Sequence, residues 1–223
     1  MRYQAKRKFR FLLLFSALFA AIWFFWDTSF VYPLKLFVVL LHEISHGFAA
    51  VLTGGEIHAV EITPQQGGMC RCPGGNVFIT LSAGYLGSLL WGGVMIVGAE
   101  HLKNRSGWLT AAIATLVVGA TLLYVNQPFA TAFGIAFGAV LFVVSLRAGA
   151  IGNRATLYLL GLTSCLYAVL DIKSDILDRP ELTSDAKMLA ELTGVSTLVW
   201  GVAWIVTAFL FCALLLRRLW RRA

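Results

Sequence analysis

Two histidines and a glutamate stand together in an otherwise apolar stretch, His42-Glu43-Ile44-Ser45-His46. On a helix, residues four apart share a face, so both imidazoles point the same way at a spacing that grips one metal ion. Glu43, one residue on, can reach a water at that metal without being a ligand. The pattern is H-E-x-x-H, a zinc hydrolase signature. Its chemistry leaves one tetrahedral position of the metal to water, lowers that water's pKa towards about 7 and polarises a carbonyl. The glutamate is the general base.

The motif sits where polar groups are expensive. Of the 223 residues, 59% are hydrophobic and 13% charged, against about 45–50% and about 25% in soluble domains. The apolar residues come in runs near the ~20 needed to cross a bilayer core, so the chain reads as a polytopic membrane protein. A charged side chain at the centre of a lipid-facing helix costs about 2.5–3.5 kcal/mol on the insertion scale, which makes intramembrane ionisable residues functional candidates. Without a ligand, three such groups in five residues would leave poorly paired polar atoms in hydrocarbon; a bound metal offsets that cost.

The elements that must position the motif follow from the apolar runs. A basic stretch (Arg2, Lys6, Arg7, Lys8, Arg10) precedes a first span at 11–26, and no small-x-small cleavage site follows it. A second span, about 30–52, carries the motif and stops at Gly54 and Gly55. Residues 53–76 are polar and Gly-rich, and EIHAVEIT partly alternates, which predicts a short β-hairpin-like loop. Further spans are expected at 77–99, 108–125, 129–146, 155–170 and 197–216, with a polar segment at 171–196. The expected fold class is an all-α bundle of about six to seven transmembrane helices forming a single integral membrane domain over 1–223. Small residues (Gly84, Gly87, Ser88, Gly92; Gly134, Gly138) provide close helix packing.

Net charge is +7, and Arg217, Arg218, Arg221 and Arg222 close the chain as the basic residues open it. Charge flanking apolar helices is a topology and lipid-anchoring signal, not the polar basic face of a nucleic-acid binder. The positive-inside rule puts the amino terminus in the cytoplasm; an odd number of spans then places the carboxyl terminus opposite. Lys35 is expected to snorkel. Cys165 and Cys212 lie in apolar runs, and Cys70-x-Cys72 lacks the second pair of a usual metal site, so no disulfide framework is expected.

HEISH, the following TGGEIHAVEITPQQGG and the helix beginning SAGYLGS resemble the site-2 protease family of intramembrane zinc metalloproteases, in its compact bacterial and fungal branch without a PDZ domain. LYAVLDIKSDIL and SDAKMLAELTGVSTLVWGVAW are similar to that branch's carboxyl-terminal half, giving a core of about 30–196. The resemblance implies Zn2+ held by His42, His46 and an Asp from a late helix, with Glu43 as base. The family's Leu-Asp-Gly is only partly matched, because Leu170-Asp171 is followed by Ile172. Asp171, at the end of the sixth span and on the same side as the motif, is the first candidate. Asp175 is the alternative one turn on, and Asp185 is a weaker one. His58 and Glu61 read as solvated loop residues, and His101 as unrelated to the metal.

The resulting expectation is an intramembrane metalloprotease cutting a membrane-embedded protein helix, multi-pass in a bacterial plasma (inner) membrane. The lipid bilayer is its setting, with no nucleic-acid partner. A non-catalytic membrane protein keeping the zinc-binding fold to hold client helices is the alternative, and a small transporter a third reading without the paired inverted halves it needs.

Overall fold

A computed structural model of the protein describes residues 9, 13, 16–178 and 183–222. The expected first span falls partly outside these residues; its described part, 16–24, is helical (α1). After a turn comes α2 (Tyr32–Leu52), with Pro33 in its first turn, where a missing N–H costs nothing. It ends at Thr53, and Gly54 follows with φ +94°. Leu36, Phe37, Val38, Val39, Leu40 and Leu41 are each at most 3% exposed. Because these residues cover every face of the helix, α2 is enclosed by the rest of the molecule.

The expected hairpin is present as β1 (Ala59–Ile62) and β2 (Gly68–Arg71), antiparallel, with Ala59 opposite Arg71 and Ile62 opposite Gly68. The alternation in the sequence turns Val60 and Ile62 inward, where they join the core around α2. Asn76 then caps α3 (Val77–Leu102), its side chain accepting from the Ile79 amide at 3.1 Å.

The apolar helical run Val77–Tyr124 is 48 residues long. At 1.5 Å per residue it would be roughly twice the ~30 Å of a bilayer core if straight. It breaks at Lys103 (φ +45°) through a 3₁₀ turn, Lys103–Arg105, and returns as α4 (Ser106–Tyr124). A Cβ on Gly98 would lie 2.2 Å from Leu109, so the two arms fold onto each other. Next are α5 (Pro128–Arg147) and α6 (Gly149–Lys173). The expected spans from 30–52 through 155–170, and that at 197–216, thus coincide with α2, α3, α4, α5, α6 and a last helix, α8 (Thr197–Arg222).

One helix boundary differs from expectation for a physical reason. The helix α6 begins well before 155: the Asn153 side-chain amide donates to the carbonyls of Val144, Ser145 and Gly149, and the Arg154 guanidinium pairs with Glu100 at 2.6 Å, so both polar side chains of this helical segment find partners. The stem of Lys35 is buried, and its ammonium lies over the Trp26 ring and reaches the exposed carboxylate of Asp27 at 3.4 Å.

Beyond α6 the chain makes a π-helical turn, Ser174–Asp178, and after the undescribed residues a short helix, α7 (Asp185–Thr193), stopped by Gly194 at φ +72°. The glycines do the packing work expected of them. A Cβ on Gly92 would meet the Gly161 carbonyl at 2.7 Å, and one on Gly138 would meet Val118 at 2.4 Å. The final helix runs alongside α3, Trp200 against Phe78, Trp204 against Tyr85 and Arg218 near His101. Its Arg-rich end therefore lies far from the hairpin end of α3.

Candidate metal centre

Helical periodicity alone brings the two imidazoles of α2 together, with ring centroids 4.8 Å apart. The ligand atoms that His42, Glu43 and His46 offer all lie within 4.8 Å of one another. A carboxylate from elsewhere completes the cluster: Asp185 Oδ2 is 3.1 Å from His42 Nε2 and 3.2 Å from His46 Nε2. The His46 Nδ1–H donates to the Thr80 carbonyl at 2.7 Å, which turns its Nε2 towards the cluster and fixes the ring.

These donors suit a divalent metal. In a tetrahedral zinc site with ligand bonds of ~2.0–2.1 Å, neighbouring ligand atoms stand ~3.3 Å apart. The two Nε2–Oδ2 separations are close to that edge. Space for an ion exists because residue 84 is glycine: a Cβ there would lie 2.3 Å from His42 Nε2 and 2.6 Å from His46 Nε2.

Asp185 owes its place to a helix start. It is the first residue of α7, and the Ser184 side chain caps that helix by accepting from the Lys187 amide at 3.3 Å. Burial alone would push the Asp185 carboxyl up. Attraction to His46 and hydrogen bonds with both imidazoles reverse this and hold it below the usual carboxylate range.

The hairpin positions Glu43. The Cys70 amide of β2 donates to its carboxylate, and Gly68 lets the strand approach so closely that a Cβ would meet Glu43 Oε1 at 2.3 Å. A cavity of about 570 Å³ opens on the cluster, and Glu43, Asp171, Asp175 and Asp185 all line it. Asp171 and Asp175 thus belong to the site's wall, and Asp175 accepts a hydrogen bond from the Tyr85 hydroxyl. The imidazole contacts belong to Asp185.

Several residues stand elsewhere. His58 is exposed and bonds Glu56. Glu61 pairs with Arg71 and accepts from Gln127. His101 bonds the Val97 carbonyl near the far end of α3. Cys70 and Cys72 are bonded to each other and line the cavity, a local disulfide where none was expected.

With this geometry in view, the family model for "Peptidase M50B-like" matches residues 15–215. The chain belongs to that family. Its members are membrane metalloproteases, and the match bears out the site-2 protease-like resemblance of the sequence. Neither the curated proteins nor the solved structures include a match.

Sequence reading ranked Asp185 below Asp171 because it weighed the family's Leu-Asp-Gly pattern over local signals. The signal that favours Asp185 is the Ser184-Asp185 start of an amphipathic stretch, a helix cap followed by an acid at the positive end of the dipole. Tyr85 and the close approach of Gly68 have no signal in spacing alone; Gly84 belongs to the small-residue spacing that predicts close packing, and the fold puts it beside the imidazoles.

Proposed function

We propose that this M50B-like protein is an intramembrane zinc metalloprotease that hydrolyses a peptide bond in a membrane-embedded helix. His42, His46 and Asp185 hold Zn2+, and Glu43 is the general base. The observation carrying this reading is the Asp185 carboxylate set between both motif imidazoles while Glu43 stands beside them, held by the hairpin. The imidazole contacts of Asp185 support it as the third ligand in this reading, in preference to Asp171 or Asp175.

Zinc held there supplies a Lewis acid for the scissile carbonyl and a water acidic enough to attack near neutral pH. The rest is the work of the chain's own groups. Glu43 takes the proton of the attacking water and returns it to the leaving amine. The Cys70 amide keeps the Glu43 carboxylate aimed, and Thr80 keeps the His46 ring from turning. Asp185, anionic and desolvated, balances part of the metal charge.

A helical peptide bond is shielded by its own hydrogen bonds, so the substrate helix must unwind locally. The hairpin beside the cavity offers a strand along which an unwound segment can pair.

The test is Glu43→Gln in the full-length protein, measuring bound metal and cleavage of a single-span client in liposomes. Metal is retained and cleavage falls by at least about 10³-fold, since removing the base leaves metal and binding intact. Undiminished cleavage by Glu43→Gln overturns the mechanism, and a metal-free wild type overturns the site.

A further inference from the structure

One buried polar group in the cavity has no part in the chemistry above: the hydroxyl of Tyr85. The residue is 1% exposed and lies among α2, α6, α7 and α8. Its ring meets the His42 imidazole edge-on, with centroids 5.1 Å apart at 86°. Trp204 of α8 packs on it at 4.8 Å. Ala186 and Leu189, the buried residues of α7, share its apolar cluster together with Ile172 of α6. Its hydroxyl donates to Asp175 in the π-helical turn that ends α6.

We propose that Tyr85 is a positioning residue that assembles the metal centre by fixing both ends of the connection that delivers Asp185. This rests on the reading of His42, His46 and Asp185 as the metal ligands.

The physical argument starts from α7. Nine residues are too few for a helix to be stable alone, so docking decides where Asp185 points. The dock is the apolar cluster around Tyr85, which takes in Ala186, the neighbour of Asp185. The other end of the connection leaves from the π-helical turn, a geometry that frequently marks functional positions in helices. There Asp175 takes a charge-assisted hydrogen bond, stronger than one between neutral groups. The phenol thus ties the departure point at Asp175 and the arrival point at α7 to the same side chain that abuts His42. Asp175, in this account, is a tether and no ligand.

Two substitutions separate the parts. Tyr85→Phe keeps the ring and the dock but removes the donor. Asp175→Asn keeps an acceptor for the phenol while removing a potential metal ligand.

Full-length protein in nanodiscs, stripped of metal, is titrated with Zn2+ against a chelator of known affinity, and the unfolding temperature of each metal-free variant is recorded. Tyr85→Phe weakens zinc about 10- to 100-fold, as loss of outer supporting contacts does, with the metal-free unfolding temperature unchanged. Asp175→Asn loses less than Tyr85→Phe, and Asp185→Asn loses the most.

Wild-type affinity in Tyr85→Phe overturns the proposal. So does an affinity loss matched by a fall in the metal-free unfolding temperature, which would make Tyr85 a packing residue only. A loss in Asp175→Asn equal to that in Asp185→Asn makes Asp175 a ligand and also overturns it. A wild type that binds no zinc instead defeats the underlying site assignment.

Discussion

The two helices that supply the metal-facing groups are built on opposite principles. The α2 helix is long, enclosed and continuous, with 83% of its apolar window buried, against 22% for α5 and for α8. It presents His42 and His46 through nothing more than the pitch of a helix. By contrast, α7 is short and amphipathic, with Ala186 and Leu189 as its buried residues. It presents Asp185 through a cap and a dock. The first arrangement sets the histidine spacing locally and leaves α3 only the ring orientation and the space beside it; the second depends on α3, α6 and α8 being in place. A cluster assembled this way gains its carboxylate only when the bundle is closed.

The comparison is easiest to break with ligand substitutions. His46→Ala removes a donor that nothing else in the cavity replaces, and metal analysis of the purified protein is expected to find no bound zinc. Asp185→Asn leaves the α2 pair intact, so zinc binding persists but weakens by about 10²-fold or more, with Asp171→Asn close to wild type. Equal losses in Asp171→Asn and Asp185→Asn would erase the role given to α7.

A subtler probe is Gly84→Ala. In a helix interior alanine is favoured over glycine by about 1 kcal/mol, so propensity alone predicts stabilisation. The added Cβ would meet both Nε2 atoms within 2.6 Å, and the expected outcome is loss of zinc with no gain in unfolding temperature. Full zinc occupancy in this variant would mean that the hollow beside the imidazoles is not needed.

Acidification distinguishes the helices in another way. Metal binding requires neutral imidazoles, so occupancy is expected to fall as pH drops and protons compete for His42 and His46. The Asp185 carboxyl, held below its usual range, stays ionised through that window. Release measured by a zinc dye should therefore follow the imidazoles in wild type and in Asp185→Asn alike.

The smallest effect belongs to the cap. Ser184→Ala removes a bond typically worth about 1 kcal/mol; zinc affinity is expected to fall a few-fold, with recovery in Ser184→Asn. An unaffected Ser184→Ala would show that docking alone orients Asp185.

How much was legible beforehand follows the same division. The spans were readable because apolar runs of bilayer length have few alternatives, and the hairpin because Val60 and Ile62 alternate with polar neighbours between glycines. Other features depended on partners distant in sequence. Residues 147–154 read as a linker between apolar runs, whereas α6 starts at Gly149, and within it Asn153 and Arg154 find partners. Asp171 was preferred on pattern, although Asp185 makes the imidazole contacts.

What the residue order settled unaided is the chemistry on one helix: His42, Glu43 and His46 lie within five positions, and backbone hydrogen bonding fixes their mutual geometry wherever the helix goes. What only the folded bundle decided is the partner of that triplet. Asp185 stands 143 residues from His42, and no local rule spans that separation; packing against Tyr85, with glycine at 84, determines which carboxylate arrives and leaves room for it to meet the imidazoles.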